Sequence, residues 1–233
     1  SKKYVVWIQE KSAIAVFLLL FLISALRYKQ FFTPVNLVNL FRQSSIMGVI
    51  AVGMTFVIIT GCIDLSVGSI VAVCGIVAAR MCSVNVAAAI LVPVGVGAFI
   101  GLINGLFITK MKIPPWITTL SMMMFLRGTA YLMTNESSVD VEKVSAAFQM
   151  IGRGKIAGLP VPGLLFLFAA ALGAYCLKFT RFGRSVYAAG GNLEGAKMMG
   201  IPTDRTIIIS YMLCGIGAAL SGLILASRLG AAQ

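Results

Sequence analysis

Histidine is absent from the 233 residues, and with it go the Ser-His triad, the HExxH zinc site and the imidazole proton shuttle. Acid is scarce, with 7 Asp and Glu against 19 Lys and Arg, and charged residues make up only 11% of the chain. Soluble domains carry about a quarter. With 59% hydrophobic residues and a mean hydropathy of +0.98, too little polar surface exists to cover a globule, and the solvent for the excess is lipid. A formal charge of +12 would point to nucleic acid in a soluble protein. Here it fits basic loops facing an anionic membrane surface, and nucleic acid is not an expected partner. Cys62, Cys74, Cys82, Cys176 and Cys214 show no CxxC spacing and fall mostly in apolar runs, which reads as buried thiols rather than disulfides or metal ligands. No GxxxxGK[ST] loop occurs, so ATP, magnesium and any other cofactor are not expected on this chain.

What is present is a series of uncharged runs. Residues 13–26 follow Lys2, Lys3 and Lys11 and have the length of a signal-peptide core as well as of a short span. Leu26, Arg27 and Tyr28 offer no small-x-small cleavage site, so a retained span starting on the cytoplasmic side is expected. Residues 31–39 (FFTPVNLVN) read as a short interfacial helix opened by Pro34. Residues 44–63 are uncharged over about 30 Å of helix, enough to cross a hydrocarbon core. Residues 65–79 form a shorter run closed by Arg80, and residues 81–109 one tilted or kinked span around Pro93. Lys110, Lys112, Pro114 and Pro115 mark a cytoplasmic turn before residues 113–135, apolar apart from Arg127. Residues 136–162 form an extracytoplasmic loop with Glu136, Asp140 and Glu142. Residues 163–177 make another span, residues 178–205 a basic cytoplasmic loop, and residues 206–227 the last span. The expected fold is all-α: a polytopic transmembrane helix bundle of about seven spans, one membrane domain over residues 1–233. The N-terminus would lie inside and Gln233 outside, and both ends read as trimmed.

Gly97, Gly101 and Gly105 recur every fourth residue, as do Gly215 with Ala219 and Ala218 with Gly222 in the last run. Missing side chains let backbones approach closely, and packing within the subunit is favoured over a subunit interface. Asp64 lies between two runs in Thr60-Gly61-Cys62-Ile63-Asp64-Leu65-Ser66-Val67-Gly68. Two readings stay open together: Asp64 or Ser66 caps a helix starting at Leu65 or Val67, or the segment is a broken-helix turn lining a cavity where a carboxylate meets hydroxylated substrate. Arg127 is the charge inside a span, either snorkelling to the outer interface or lining the pathway. Thr60, Asp64, Ser66, Asn104 and Arg127 are the candidate substrate-pathway residues. Asn104, Thr118 and Thr119 either face a polar lumen or bond neighbouring helices.

The loop over residues 178–205 is too long for a turn. Gly190-Gly191 reads as a break, Asn192 as an N-cap, Leu193 to Met199 as a short helix, and Gly200 with Pro202 as its stop. Such an exposed amphipathic helix either docks a partner or lies on lipid.

The stretch from Gly53 to Ser69, reading GMTFVIITGCIDLSVGS, strongly resembles the signature of permease subunits of bacterial ABC importers for ribose and related monosaccharides. Residues 179–200, FTRFGRSVYAAGGNLEGAKMMG, look like that family's cytoplasmic coupling segment. The resemblance runs from Phe31-Phe32 to Ala226-Ser227-Arg228, with Cys62 where a small residue is expected. It implies a multi-pass protein of the bacterial inner membrane, not itself an enzyme. It also implies a second permease copy or a close homologue, a cytoplasmic ABC ATPase carrying ATP and magnesium, a periplasmic sugar-binding protein, and further spans beyond Gln233. By the same resemblance Gly191, Asn192, Glu194, Ala196, Lys197, Met199 and Gly200 form the ATPase-coupling helix. The competing class is an ion- or proton-coupled secondary transporter, for which Asp64 and Arg127 are the available intramembrane charges. A membrane-embedded enzyme finds no catalytic set.

Overall fold

The computed structural model describes residues 2–135, 137, 139, 140 and 146–232, without the side chains of residues 2–11, 13, 139 and 140. Glu136, Glu142 and Gln233, assigned above to the outer side, lie outside the described residues. Helix is the dominant state: α1 (Lys2–Arg27), α2 (Pro34–Ile59), α3 (Val67–Cys82), α4 (Val86–Thr109), α5 (Pro115–Thr134), α6 (Ala146–Arg153), α7 (Val161–Phe179), α8 (Arg181–Gly191), α9 (Leu193–Met198) and α10 (Thr203–Leu229). Two short antiparallel pairs complete the description. β1 (Val139–Asp140) pairs with β4 (Ala231–Ala232), and β2 (Lys155–Ile156) pairs with β3 (Leu159–Pro160).

The protein is an all-α polytopic membrane protein. Apolar helices stand at each of the segments expected from the runs, and α2, α4, α7 and α10 are long and apolar enough to cross a membrane. The apolar part of α1 and helix α3 are shorter. With 16 residues α3 rises only about 24 Å, against about 30 Å of hydrocarbon. Three boundaries differ from expectation. Pro34 opens α2 itself rather than a separate interfacial helix, because proline is tolerated in a first turn and no breaker follows it. The one span expected over residues 81–109 is α4, with Pro93 inside it, but it starts later: α3 runs on to Cys82, and Asn85 starts α4 by accepting from the Ala88 N–H at 2.7 Å. Residues 190 and 191 do not break the chain but end α8.

Contacts divide the chain into two compact units, residues 1–41 and residues 42–233. In the first, the Phe21 ring meets Phe31 and Phe32 edge-on at 5.2 and 6.0 Å, closing the turn that follows α1. Residues 14–23 and Leu26 are exposed around the helix, as suits a segment solvated by lipid, while Ser24 and Ala25 are half-buried.

The second unit is built on α10, whose neighbours include α3, α4, α6 and α8. The glycine repeat of α4 faces it. A β-carbon at Gly97 would overlap the Gly215 carbonyl oxygen, and one at Gly101 the Tyr211 carbonyl oxygen, while one at Gly105 would sit 2.7 Å from the Ile208 α-carbon. Gly222 meets Val71 and Gly75 of α3 in the same way. The repeat therefore packs within the subunit, where dispersion between close backbones substitutes for the hydrophobic drive that lipid removes. At the end of the unit opposite α9, Ser227 ties α6 to α10, accepting from the Gly152 N–H at 2.9 Å and donating to the Phe148 carbonyl at 2.6 Å. Arginines close the helix C-termini there. Arg153 Nε donates to the Arg228 carbonyl at 2.8 Å, Arg42 to the Arg153 carbonyl at 3.4 Å, and Arg80 to the Met133 carbonyl.

Candidate functional site

Helix α2 stops because of Gly61. Its φ of 78° lets the Gly61 N–H donate to the Ile58 carbonyl at 2.9 Å and the Cys62 N–H to the Val57 carbonyl at 3.2 Å, the reversed pair of bonds that closes a helix. Thr60 adds its hydroxyl to the Val57 carbonyl at 2.7 Å. The chain then runs without regular structure to Val67, where α3 begins.

Asp64 and Ser66 organise this break. The Asp64 carboxylate Oδ1 accepts from the Ser66 N–H at 2.9 Å and from its hydroxyl at 2.6 Å. Asn104 of α4 donates through Nδ2 to the Ser66 hydroxyl oxygen at 3.0 Å. Tyr211 of α10 donates to the Ile63 carbonyl at 2.8 Å, and Cys214, one turn along, neighbours the carboxylate. Asp64 is 3% exposed, and Ser66 and Asn104 are fully buried. The expectation of a side-chain N-cap on α3 is corrected here. Ser66 occupies the cap position but makes no cap bond, and Asp64 satisfies the N–H of Ser66 itself, so the carboxylate closes the break rather than the helix. Asp64 Oδ2 and Asn104 Oδ1 have no hydrogen-bond partner among the described residues.

The other predicted pathway residues divide. Thr60 stands at the near end of the break and lines a cavity that also touches Lys112, Pro114, Gly190, Asn192 and Glu194. Arg127 does not join the group; it is exposed on α5, next to the buried Leu126. Thr118 and Thr119 are buried in the first turns of α5, with Thr119 bonded to the Pro115 carbonyl at 2.9 Å. Sequence reasoning missed Tyr211 and Cys214. A phenol inside the last uncharged run was the available signal, since a buried tyrosine hydroxyl usually has a partner.

The second cluster is the 178–205 segment. Asn192 accepts from the Gly195 N–H at 2.9 Å and starts α9, as expected. Gly200, with φ 76°, ends it by the same reversed pair of bonds seen at Gly61. Glu194 and Lys197 face each other at 3.8 Å on the exposed side. Ala196 is 1% exposed and packs inward, which removes it from any docking face; Met198, absent from the expected set, is 90% exposed beside Met199 at 73%. The tip is thus polar on one flank and soft and apolar at its end, while Gly191 and Gly200 bound it. Before α9 runs α8, capped by Thr180 through the Gly183 N–H at 3.1 Å. Lys110 pairs with Asp204 at 2.8 Å and fastens the end of α4 to the start of α10 beside the tip.

The sequence profile of the family described as "Branched-chain amino acid transport system / permease component" matches residues 36–233. The chain belongs to this permease family. The permease is 41% identical to the ribose import permease of Escherichia coli strain K12 over 97% of its own length and 72% of that protein. It is 42% identical to the ribose import permease of Bacillus subtilis strain 168, over 94% and 69%. To the L-arabinose transport system permease of Escherichia coli K12 it is 36% identical, over 94% and 67%. No solved structure matches the permease.

Proposed function

We propose that this permease is the membrane-spanning subunit of an ATP-driven importer for a monosaccharide or related small sugar in a bacterial inner membrane. The identity to sugar import permeases over nearly the whole chain carries the reading. The permease pairs with a second copy or a close homologue, receives sugar from a periplasmic binding protein, and takes force from a cytoplasmic ATPase that holds ATP and magnesium. No catalytic residue is assigned to the permease.

In this reading α9 is the docking element. Its exposed Leu193, Glu194, Lys197, Met198 and Met199 suit a cleft that accepts an apolar plug with a charged flank, methionine being the adaptable part. Asp64, Ser66 and Asn104 shape the pathway by holding the break against α4, and Thr60 faces the cavity on the side of the tip. Arg127 serves the membrane-facing surface of α5. ATP-driven closure of the ATPase pair displaces the two tips, and the cavity shared by the permease pair alternates between outward and inward access.

The test is uptake into liposomes holding the permease with its copurifying ATPase, supplied with sugar-loaded binding protein. Uptake is expected only with ATP and binding protein together, and Glu194→Lys is expected to abolish sugar-stimulated ATP hydrolysis in a normally inserted complex. Uptake by the permease alone would overturn the proposal.

A further inference from the structure

We infer that α8 is a lever that carries force from α9 to the break between α2 and α3, with its last turn bearing on the last carbonyl of α2 through Gly190. The inference rests on the function proposed above.

The lever has a fixed end. Thr180 caps α8 directly after α7, its hydroxyl also donating to the Cys176 carbonyl at 2.6 Å, and Gly183 lies so close to the Cys176 and Leu177 carbonyls that a β-carbon there would overlap both. Corner and helix therefore move together. Near this end the Phe182 ring stacks on Phe56 of α2, with centroids 6.0 Å apart and planes 27° from parallel.

The lever also has a working end. A β-carbon on Gly190 would overlap the Ile59 carbonyl oxygen, lie 2.9 Å from its carbon and 3.4 Å from the Thr60 α-carbon. Backbone touches backbone here, so a push is transmitted without side-chain give. Immediately beyond Ile59 come Thr60, Gly61 and the irregular chain held by Asp64. Immediately beyond Gly190 come Gly191 and the Asn192 cap of α9. The driver and the element it moves are each within two residues of one contact, and the cavity touching both leaves room for movement. The far side of the break is tethered to α4 by Asn104 and to α10 by Tyr211. A displacement of α2 relative to those two helices must then be taken up in residues 60–66, where no helical ladder resists it.

The permease carries its own reporter. Cys62 lies inside the break, is partly exposed, and lines the cavity. In the complete complex with ATPase and sugar-loaded binding protein, the maleimide labelling rate of Cys62, read by peptide mass spectrometry, is expected to change about fivefold or more on adding ATP with vanadate. Gly190→Ala and Phe182→Ala are expected to remove that ATP response and lower sugar import about tenfold while ATP hydrolysis persists. Gly95→Ala, whose β-carbon would meet nothing within 4 Å, is the control for a helical glycine replacement and is expected to keep both. Phe182→Ala adds no atom to the contact and decides the matter if Gly190→Ala fails to assemble. An ATP response of Cys62 that survives in Phe182→Ala with import within twofold of wild type would overturn the lever, as would parallel loss of import and hydrolysis. A wild-type complex that hydrolyses ATP but imports no sugar would instead overturn the proposed function.

Discussion

Replacing Gly101 by alanine tests whether backbone contact between α4 and α10 holds the site together. The added carbon would fall on the Tyr211 carbonyl oxygen and lie 2.7 Å from its carbon and 2.8 Å from the Met212 α-carbon. Carbon atoms rest about 3.5–4 Å apart, so the helices must part by roughly 1 Å. Overpacking costs about 1–3 kcal/mol, and the upper end applies because no rotamer can move a backbone aside. Alanine returns about 0.5–1 kcal/mol of helix preference. The net loss is about 2 kcal/mol, or roughly thirtyfold in the unfolding equilibrium. Parting the helices also draws the Tyr211 hydroxyl away from the Ile63 carbonyl, so import should fall with stability. The assay is an unfolding titration with SDS in mixed micelles followed by far-UV circular dichroism, run beside Gly95→Ala. Gly95 meets nothing within 4 Å, so its replacement should be neutral or stabilising. Equal midpoints for the two variants, within about 0.5 kcal/mol, would refute the reasoning.

Tyr211→Phe removes one hydrogen bond from the break and should cost about 1 kcal/mol in the same titration, with import reduced more than stability; an unchanged import rate would show that the break needs no tether to α10. Asp64→Asn keeps an acceptor for the Ser66 N–H and hydroxyl and removes a buried charge, so the variant should assemble and transport, whereas Asp64→Ala should lose about 1–3 kcal/mol. Transport lost in a normally assembled Asp64→Asn complex would show that the charge itself is needed. Asn85→Ala deletes the cap of α4 and should cost about 1 kcal/mol by the same measurement, without altering the ratio of sugar imported to ATP hydrolysed. Met198→Asp places a charge at the most exposed point of the tip and should weaken copurification of the ATPase while leaving membrane insertion intact.

Helix positions were legible because charge is so rare in this chain that each Lys, Arg or proline pair punctuates it. Where no charge stood, the exact place was missed: Arg80 marked the separation of α3 from α4, but the turn itself falls at Ser83 to Asn85, inside an uncharged run, where the Asn85 cap marks it. At Gly190-Gly191 the opposite error arose. Two glycines read as a break, yet both belong to the last turn of α8, and the first is required by the approach of Ile59 rather than by a turn. Asp64 stood out as a polar residue needing a partner, and it has one two residues away. The tether of the break to α10 was hidden, because Tyr211 meets Ile63 across 148 positions and no local periodicity encodes that meeting. The α9 helix was legible in full, from the Asn192 cap to Gly200, since caps are local chemistry. Which of its side chains faces outward was not: Ala196 and Met198 exchange roles once the helix is seated.

Because Gly97, Gly101 and Gly105 bring the α4 backbone directly against α10, that pair meets steric collision along the seam on sliding or tilting. It acts as a fixed mast. Any rocking that carries cargo past this protein has to be done by the rigging around it.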